Sequence, residues 1–173
     1  MSERGTDTRQ VGVEVRVATV ADAPVLAELL DAFNREFDTA TPGPAVLEGR
    51  LERLLAGDAV HAIVAREPAV GFALLTLRPN VWFDGPVALL DELYVAPAQR
   101  NNGIGTDLLH AAEHLARDHG CELMEINVDG EDADARRFYD RHGYSCIEPG
   151  QTEPALYYFR NVAEVRGSNV TGR

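Results

Sequence analysis

The passage from residue 86 to about residue 115 restricts the fold most, because PVALLDELYVAP runs without a break into AQRNNGIGTDLLHAAEHLA. A long apolar strand, a glycine-rich turn and an amphipathic helix are consecutive, so the helix must start beside the strand's exit. Only Asp91 and Glu92 interrupt the apolar run of the strand. The helix carries Ile104, Leu108, Ala111, Ala112 and Leu115 on one side and His110, Glu113, His114 and Arg117 on the other, and Gly120 closes it. A helix start presents unpaired N–H donors and the positive end of the helix dipole, and glycine lets a phosphate approach the backbone closely. Arg100 precedes the turn, Asn101 and Asn102 tolerate left-handed conformations, and Gly103 and Gly105 leave the N–H groups of residues 101–106 uncovered. The stretch reads as a pyrophosphate cradle, although the same composition also suits a turn that only reverses the chain. Two other phosphate motifs fail: the third glycine of GxGxxG would fall on Leu108, and a P-loop needs a lysine that the chain lacks.

Around this centre the periodicities predict a mixed α/β domain. Residues 11–20 alternate as a strand, and a helix follows with Asp22 as N-cap, Pro24 in its first turn and Val25, Leu26, Leu29, Leu30 and Phe33 on one face. TPGP at residues 41–44 breaks the chain before a second helix through Val46, Leu47, Leu51, Leu54 and Leu55. Residues 59–66 and 69–78 predict an antiparallel hairpin. A strand over 121–129, a short helix over 131–143 and a terminal strand pair over 144–149 and 154–160 complete the pattern. The expected architecture is one largely antiparallel, twisted sheet of about seven strands flanked by about four helices. It occupies residues 11–160 as a single domain, with residues 1–10 a disordered tail and 161–173 a loose one.

The charge balance narrows the function. Acidic residues number 28 and basic residues 16, all of them arginine, for a formal net charge of −12. Nucleic-acid binding loses its electrostatic footing, whereas an acidic surface suits either attraction of cations such as protonated amines or a merely soluble, salt-adapted exterior. The absence of lysine removes Schiff-base chemistry. No apolar run reaches the roughly 20 residues of a membrane helix, and the polar first residues carry no secretory signal, so a cytoplasmic protein with no membrane partner is expected. Cys121 and Cys146 stand apart and read as reduced core thiols. His110 and His114 share a helical face but lack the HExxH spacing and a third ligand, so no metal is expected.

The segment LLDELYVAPAQRNNGIGTDLL resembles the signature of the GNAT-type N-acetyltransferase superfamily, in which a strand ending in Val-x-Pro leads into Arg-x-x-Gly-x-Gly/Ala and a helix. Val95, Pro97, Arg100, Gly103 and Gly105 match it, and Ala135, Phe138, Tyr139 and Gly143 are similar to the family's second signature. The resemblance implies acetyl-coenzyme A as donor and a primary amine of a small molecule or peptide as acceptor. It also implies that Leu93, Tyr94 and Val95 splay from the neighbouring strand and pair with the pantetheine arm, and that residues 100–106 (Arg100, Asn101, Asn102, Gly103, Ile104, Gly105 and Thr106) hold the diphosphate. Asp132 stands where relatives often place a cofactor-binding Asn, and an ionised carboxylate cannot donate that bond.

Acetyl transfer needs a neutral amine, stabilisation of a developing oxyanion and a proton for the thiolate. An amine with a pKa of about 10.4 arrives protonated. Asp91, with Glu92 second, is the expected group to hold or deprotonate it. Strand alternation places Asp91 with Leu93 and Val95 and Glu92 on the opposite face, and structural pairing of either carboxylate is the competing reading. The resemblance implies Tyr139 as general acid and a strand N–H, that of Leu93, as the oxyanion donor. Trp82 and Phe83 either wall an acceptor pocket or cover the core, and the YYF of residues 157–159 is a candidate homodimer edge. The alternative function is a non-catalytic acyl-coenzyme A binding or sensing module.

Overall fold

The computed structural model describes residues 13–160, so both tails, and the first two residues of the expected opening strand, lie outside the described residues. Within these bounds the expected domain divides into two compact units, one ending at Ile126 and the other beginning at Asn127.

In the first unit, β1 (Val15–Val17), β2 (Val60–Ala65), β3 (Gly71–Arg78), β4 (Val87–Val95) and β5 (Met124–Ile126) form one sheet in the order β1-β2-β3-β4-β5. The first four strands are antiparallel neighbours, and β5 joins β4 in parallel. The predicted hairpin of β2 and β3 is present, with Val60 opposite Thr76 and Ala65 opposite Gly71. Helices α1 (Ala23–Glu36) and α2 (Pro44–Leu55) cover one face, where Leu26, Ala27, Leu47 and Leu51 pack with Ala62, Val64, Phe72 and Tyr94. Helix α3 (Ile104–Asp118) belongs to the other face, where its Ala116 packs with Leu77 and Ala88. Asp22 precedes α1 as expected, but its carboxylate turns back to the Thr19 N–H at 2.7 Å and to Arg16 rather than capping the helix. The buried Asp31 fastens the link from α1 to α2, accepting from Thr41 Oγ1 at 2.8 Å and pairing with Arg35 Nε at 2.9 Å.

The second unit contains α4 (Ala133–Arg141) and an irregular segment. Two strands expected over 144–149 and 154–160 are absent among the described residues, so the sheet has five strands, not about seven. Pro149 and Pro154 cannot donate ladder bonds, Gly150 sits at φ 83, and one backbone bond, from Ala155 N–H to the Cys146 carbonyl, links the two runs. Their apolar side chains find no core face, and Tyr158 and Phe159 are 84% and 85% exposed. Cys146 is likewise exposed rather than buried, whereas Cys121 is half-buried.

Candidate active site

β4 is nine residues long, but β5 pairs only with its residues 88–90. From Asp91 to Val95 the edge of β4 away from β3 has no partner strand among the described residues, and this stretch carries the backbone groups assigned to a pantetheine arm.

The sheet is irregular at the start of that stretch. Leu74 of β3 faces Glu92, yet the next residue, Leu75, faces Leu90, so Asp91 is the extra residue of a β-bulge. The bulge overturns the alternation read from the sequence. Glu92 lies opposite Leu74, which packs on the core beneath α1 and α2. Asp91 turns to the same face, where its Oδ2 accepts a 2.6 Å hydrogen bond from Thr76 Oγ1, two residues along β3 from Leu74. Two adjacent carboxylates therefore share one face. Burial pushes the Glu92 carboxyl up to about 7, with the Asp91 charge adding to the rise. Burial also raises the Asp91 carboxyl, against the opposing pull of the Thr76 hydroxyl, although Asp91 retains an exposed surface. Glu92 thus combines partial burial with a proton affinity suited to neutral pH, which the sequence assigned first to its neighbour.

Beyond Val95 a short 3₁₀ turn (Pro97–Gln99) leads into the glycine-rich stretch. Asn101 takes φ 63, and Gly103 takes φ 82 as the N-cap of α3. Among the described residues no acceptor engages the N–H groups of residues 101–105. A Cβ on Gly103 would meet nothing within 4 Å, so the protein leaves that side of the turn open. Ile104 is buried and anchors the helix start, while Asn102 Nδ2 donates to the Gln99 carbonyl at 3.1 Å. Thr106 is half-buried in the first turn of α3. These amides fit a diphosphate.

The Arg100 side chain has partners within the fold. Its Nη1 and Nη2 reach Glu36 at the end of α1 at 2.7 and 2.8 Å, its Nε donates to the Val95 carbonyl at 2.9 Å, and the guanidinium lies 5.7 Å from the Tyr94 ring centroid. It ties the end of β4 to α1 and sets the entry to the cradle. Tyr94 is only 4% exposed, with its ring stacked on Phe33 at 5.0 Å, so of the cofactor segment it offers backbone alone. Glu36 and Thr76 carry no motif signal and were not readable as site residues; the bulge that recruits Thr76 is a property of strand register.

In the second unit, Asp132 Oδ1 accepts from the Ala135 N–H at 2.9 Å and is the N-cap of α4. This gives its carboxylate a structural partner that needs no donated proton. Tyr139 lies in α4, edge-on to Phe138 at 5.2 Å and to Tyr144 at 5.8 Å. Trp82 does not cover the core: it is 85% exposed on a loop held by Asn80, whose Oδ1 accepts from the Trp82 and Phe83 N–H groups. His114 lines a cavity of about 390 Å³ with His61 and His119, on the α3 side of the sheet. Among the described residues no group of three His, Cys, Asp or Glu side chains is placed to hold a metal, and no helix is long and apolar enough to cross a membrane.

A bulged strand with an open edge leads into uncovered amides at a helix start in a mixed α/β fold. The family model described as Acetyltransferase (GNAT) family matches residues 26–144, which include the cradle and α4, and the chain belongs to that family. It is 32% identical over 133 residues to aminoalkylphosphonate N-acetyltransferase of Salmonella typhimurium, covering 76% of this chain and 84% of that one. It is 40% identical over 77 residues to aminoglycoside N(6')-acetyltransferase type 1 of Klebsiella aerogenes, covering 43% of this chain and about half (49%) of the relative's length. A crystal structure from Arthrobacter sp. FB24, assigned as an acetyltransferase, superposes with a TM-score of 0.83 at 51% identity over 90% of this chain and 99% of that one.

Proposed function

We propose that the protein transfers an acetyl group from acetyl-coenzyme A directly to a primary amine of a small molecule or peptide. The observation that carries this reading is the bulge, which sets Asp91 and Glu92 on one face of the strand whose open edge leads to the cradle. The N-acetyltransferases named above, which act on amine-bearing small molecules, support it.

When bound, acetyl-coenzyme A supplies a thioester whose acetyl carbon passes to nitrogen as the thiol is released. The amides of residues 101–105 would hold its diphosphate, and the free edge from Leu93 to Val95 its pantetheine arm. Glu92 takes the proton of the incoming ammonium, and its carboxyl, at about 7, is half ionised near neutrality. A backbone N–H of the open segment, that of Leu93, meets developing negative charge. The second signature assigns to Tyr139 the proton delivered to the departing sulfur.

Coenzyme A release is assayed against kanamycin, 2-aminoethylphosphonate, spermidine and an amine-bearing peptide. Turnover with at least one is expected, and binding of acetyl-coenzyme A without turnover of any amine would make the protein a sensor. Tyr139→Phe should lower kcat by about 10²-fold, the low end for a positioned acid, with little change in KM, since it removes a proton and no binding surface; undiminished kcat removes the tyrosine from the mechanism. Gly103→Ala tests the cradle. The protein leaves room for the methyl, so alanine costs about 1 kcal/mol of left-handed backbone strain while projecting into the anion site. The rise in Tm that acetyl-coenzyme A gives the parent should shrink or vanish in this variant. An equal rise would move the diphosphate elsewhere.

A further inference from the structure

We propose that Thr76 is a positioning residue for amine acetylation: by donating its hydroxyl proton to Asp91 Oδ2 it anchors the bulged carboxylate beside Glu92, leaving Glu92 to meet the incoming ammonium. This rests on the acetyltransferase reading above.

The argument begins in the ladder. A bulge adds a residue with no partner across the strand pair, so register alone does not hold its side chain. Asp91 is that residue, and among the described residues its side-chain partner is Thr76, at 2.6 Å. Thr76 itself lies opposite Leu89, so it bonds diagonally across β3 and β4 to a side chain past the irregularity. A hydroxyl that donates to a carboxylate favours the ionised form, and this is the one influence that lowers the Asp91 carboxyl. An ionised Asp91 in turn makes the loss of the Glu92 proton harder. The chain of effect therefore runs from the Thr76 hydroxyl through the Asp91 charge to Glu92.

Other charged groups on this side of the sheet include several engaged with partners of their own. On α1, Asp31 is tied to Arg35 and Thr41, and Glu36 to Arg100. Glu125 of β5 pairs with Arg78 of β3, and Glu48 of α2 is half-buried. The Tyr94 phenol at the far end of β4 responds to Glu36 and Arg100. Among the charged groups of the described residues, Asp91 alone acts on Glu92.

Carboxyl ¹³C NMR titration of the intact chain reads this directly and needs no acceptor. The Glu92 resonance is assigned by its loss in Glu92→Gln. Asp91→Asn should move the Glu92 midpoint to lower pH, by on the order of 0.5 unit for an interacting pair. Thr76→Val should move it in the same direction by less, because without the 2.6 Å anchor the Asp91 carboxylate is no longer held beside Glu92. Thr76→Ser, which keeps the donor, should restore the parent midpoint, and Thr76→Val in the Asp91→Asn background should add nothing. A midpoint unmoved by Thr76→Val, or a shift of equal size with and without the Asp91 charge, overturns the proposal. Failure of the acetyltransferase reading shows separately, as absence of turnover in the amine panel.

Discussion

Glu92→Gln lowers kcat/KM by a factor of about 10²–10⁴, the usual worth of a positioned acid or base, and abolishes the acidic limb of its pH profile. In the parent that limb is centred on the Glu92 carboxyl at about 7, and the rate rises with pH because the carboxylate is the form that accepts a proton. Stability moves the other way. The ordinary value of this carboxyl is 4.5, so burial favours the neutral acid in the folded chain. The unfolded chain ionises first as pH rises, and the parent loses stability progressively between about 4.5 and about 7. Glutamine has no such loss, so the variant should gain in Tm over the parent at pH 8 and show little gain at pH 4. Steady-state rates and melting curves measured across this range test both halves. A variant that keeps full turnover while melting higher would leave Glu92 a buried acid without a catalytic role.

Gly71→Val lowers Tm by roughly 6–12 °C and raises the KM for acetyl-coenzyme A. Strand propensity points the opposite way, since a β-branched residue is favoured over glycine in a strand by up to about 1 kcal/mol. Packing decides the sign. A Cβ on Gly71 would lie 2.7 Å from the Tyr94 carbonyl and 3.3 Å from both Leu108 Cδ1 and the Val95 Cα. Two of these are backbone of β4, which cannot move aside as a side-chain tip can. Overpacking of this kind costs about 1–3 kcal/mol, and valine, with two further methyls, takes the upper end. At 2–4 °C per kcal/mol for a chain of about this size, the expected loss follows. The strand that must shift is the one bearing the open edge and leading to Arg100, so cofactor binding suffers with stability. A valine variant melting at or above the parent temperature would refute the close approach of β3 to β4.

The elements legible in the chain were those in which neighbouring residues repeat a local preference. Alternation in residues 59–66 and 69–78 gave the hairpin, and the apolar spacing of Ile104, Leu108, Ala112 and Leu115 gave α3, because each pattern reports a face buried by its own element. The turn before α3 was legible for a related reason: the left-handed Gly103 and the helix start are consequences of adjacent residues, and the family match covers this segment. The two terminal strands were misread because β-rich composition at 154–160 says what a strand would accept, not whether a face exists to bury it.

The sequence by itself determined the α/β class, the order of the elements up to α4, the glycine-rich turn at the start of α3 and the presence of two carboxylates in a strand that would otherwise be apolar. Only the tertiary structure decided which way those carboxylates point and what they and Arg100 touch. Register between β3 and β4 is set by how two distant segments pack, and a single extra residue at Asp91 reverses the side-chain alternation that local sequence implies. Glu36 and Thr76, the side-chain partners of Arg100 and Asp91, lie 64 and 15 residues away along the chain, so no local pattern encodes them.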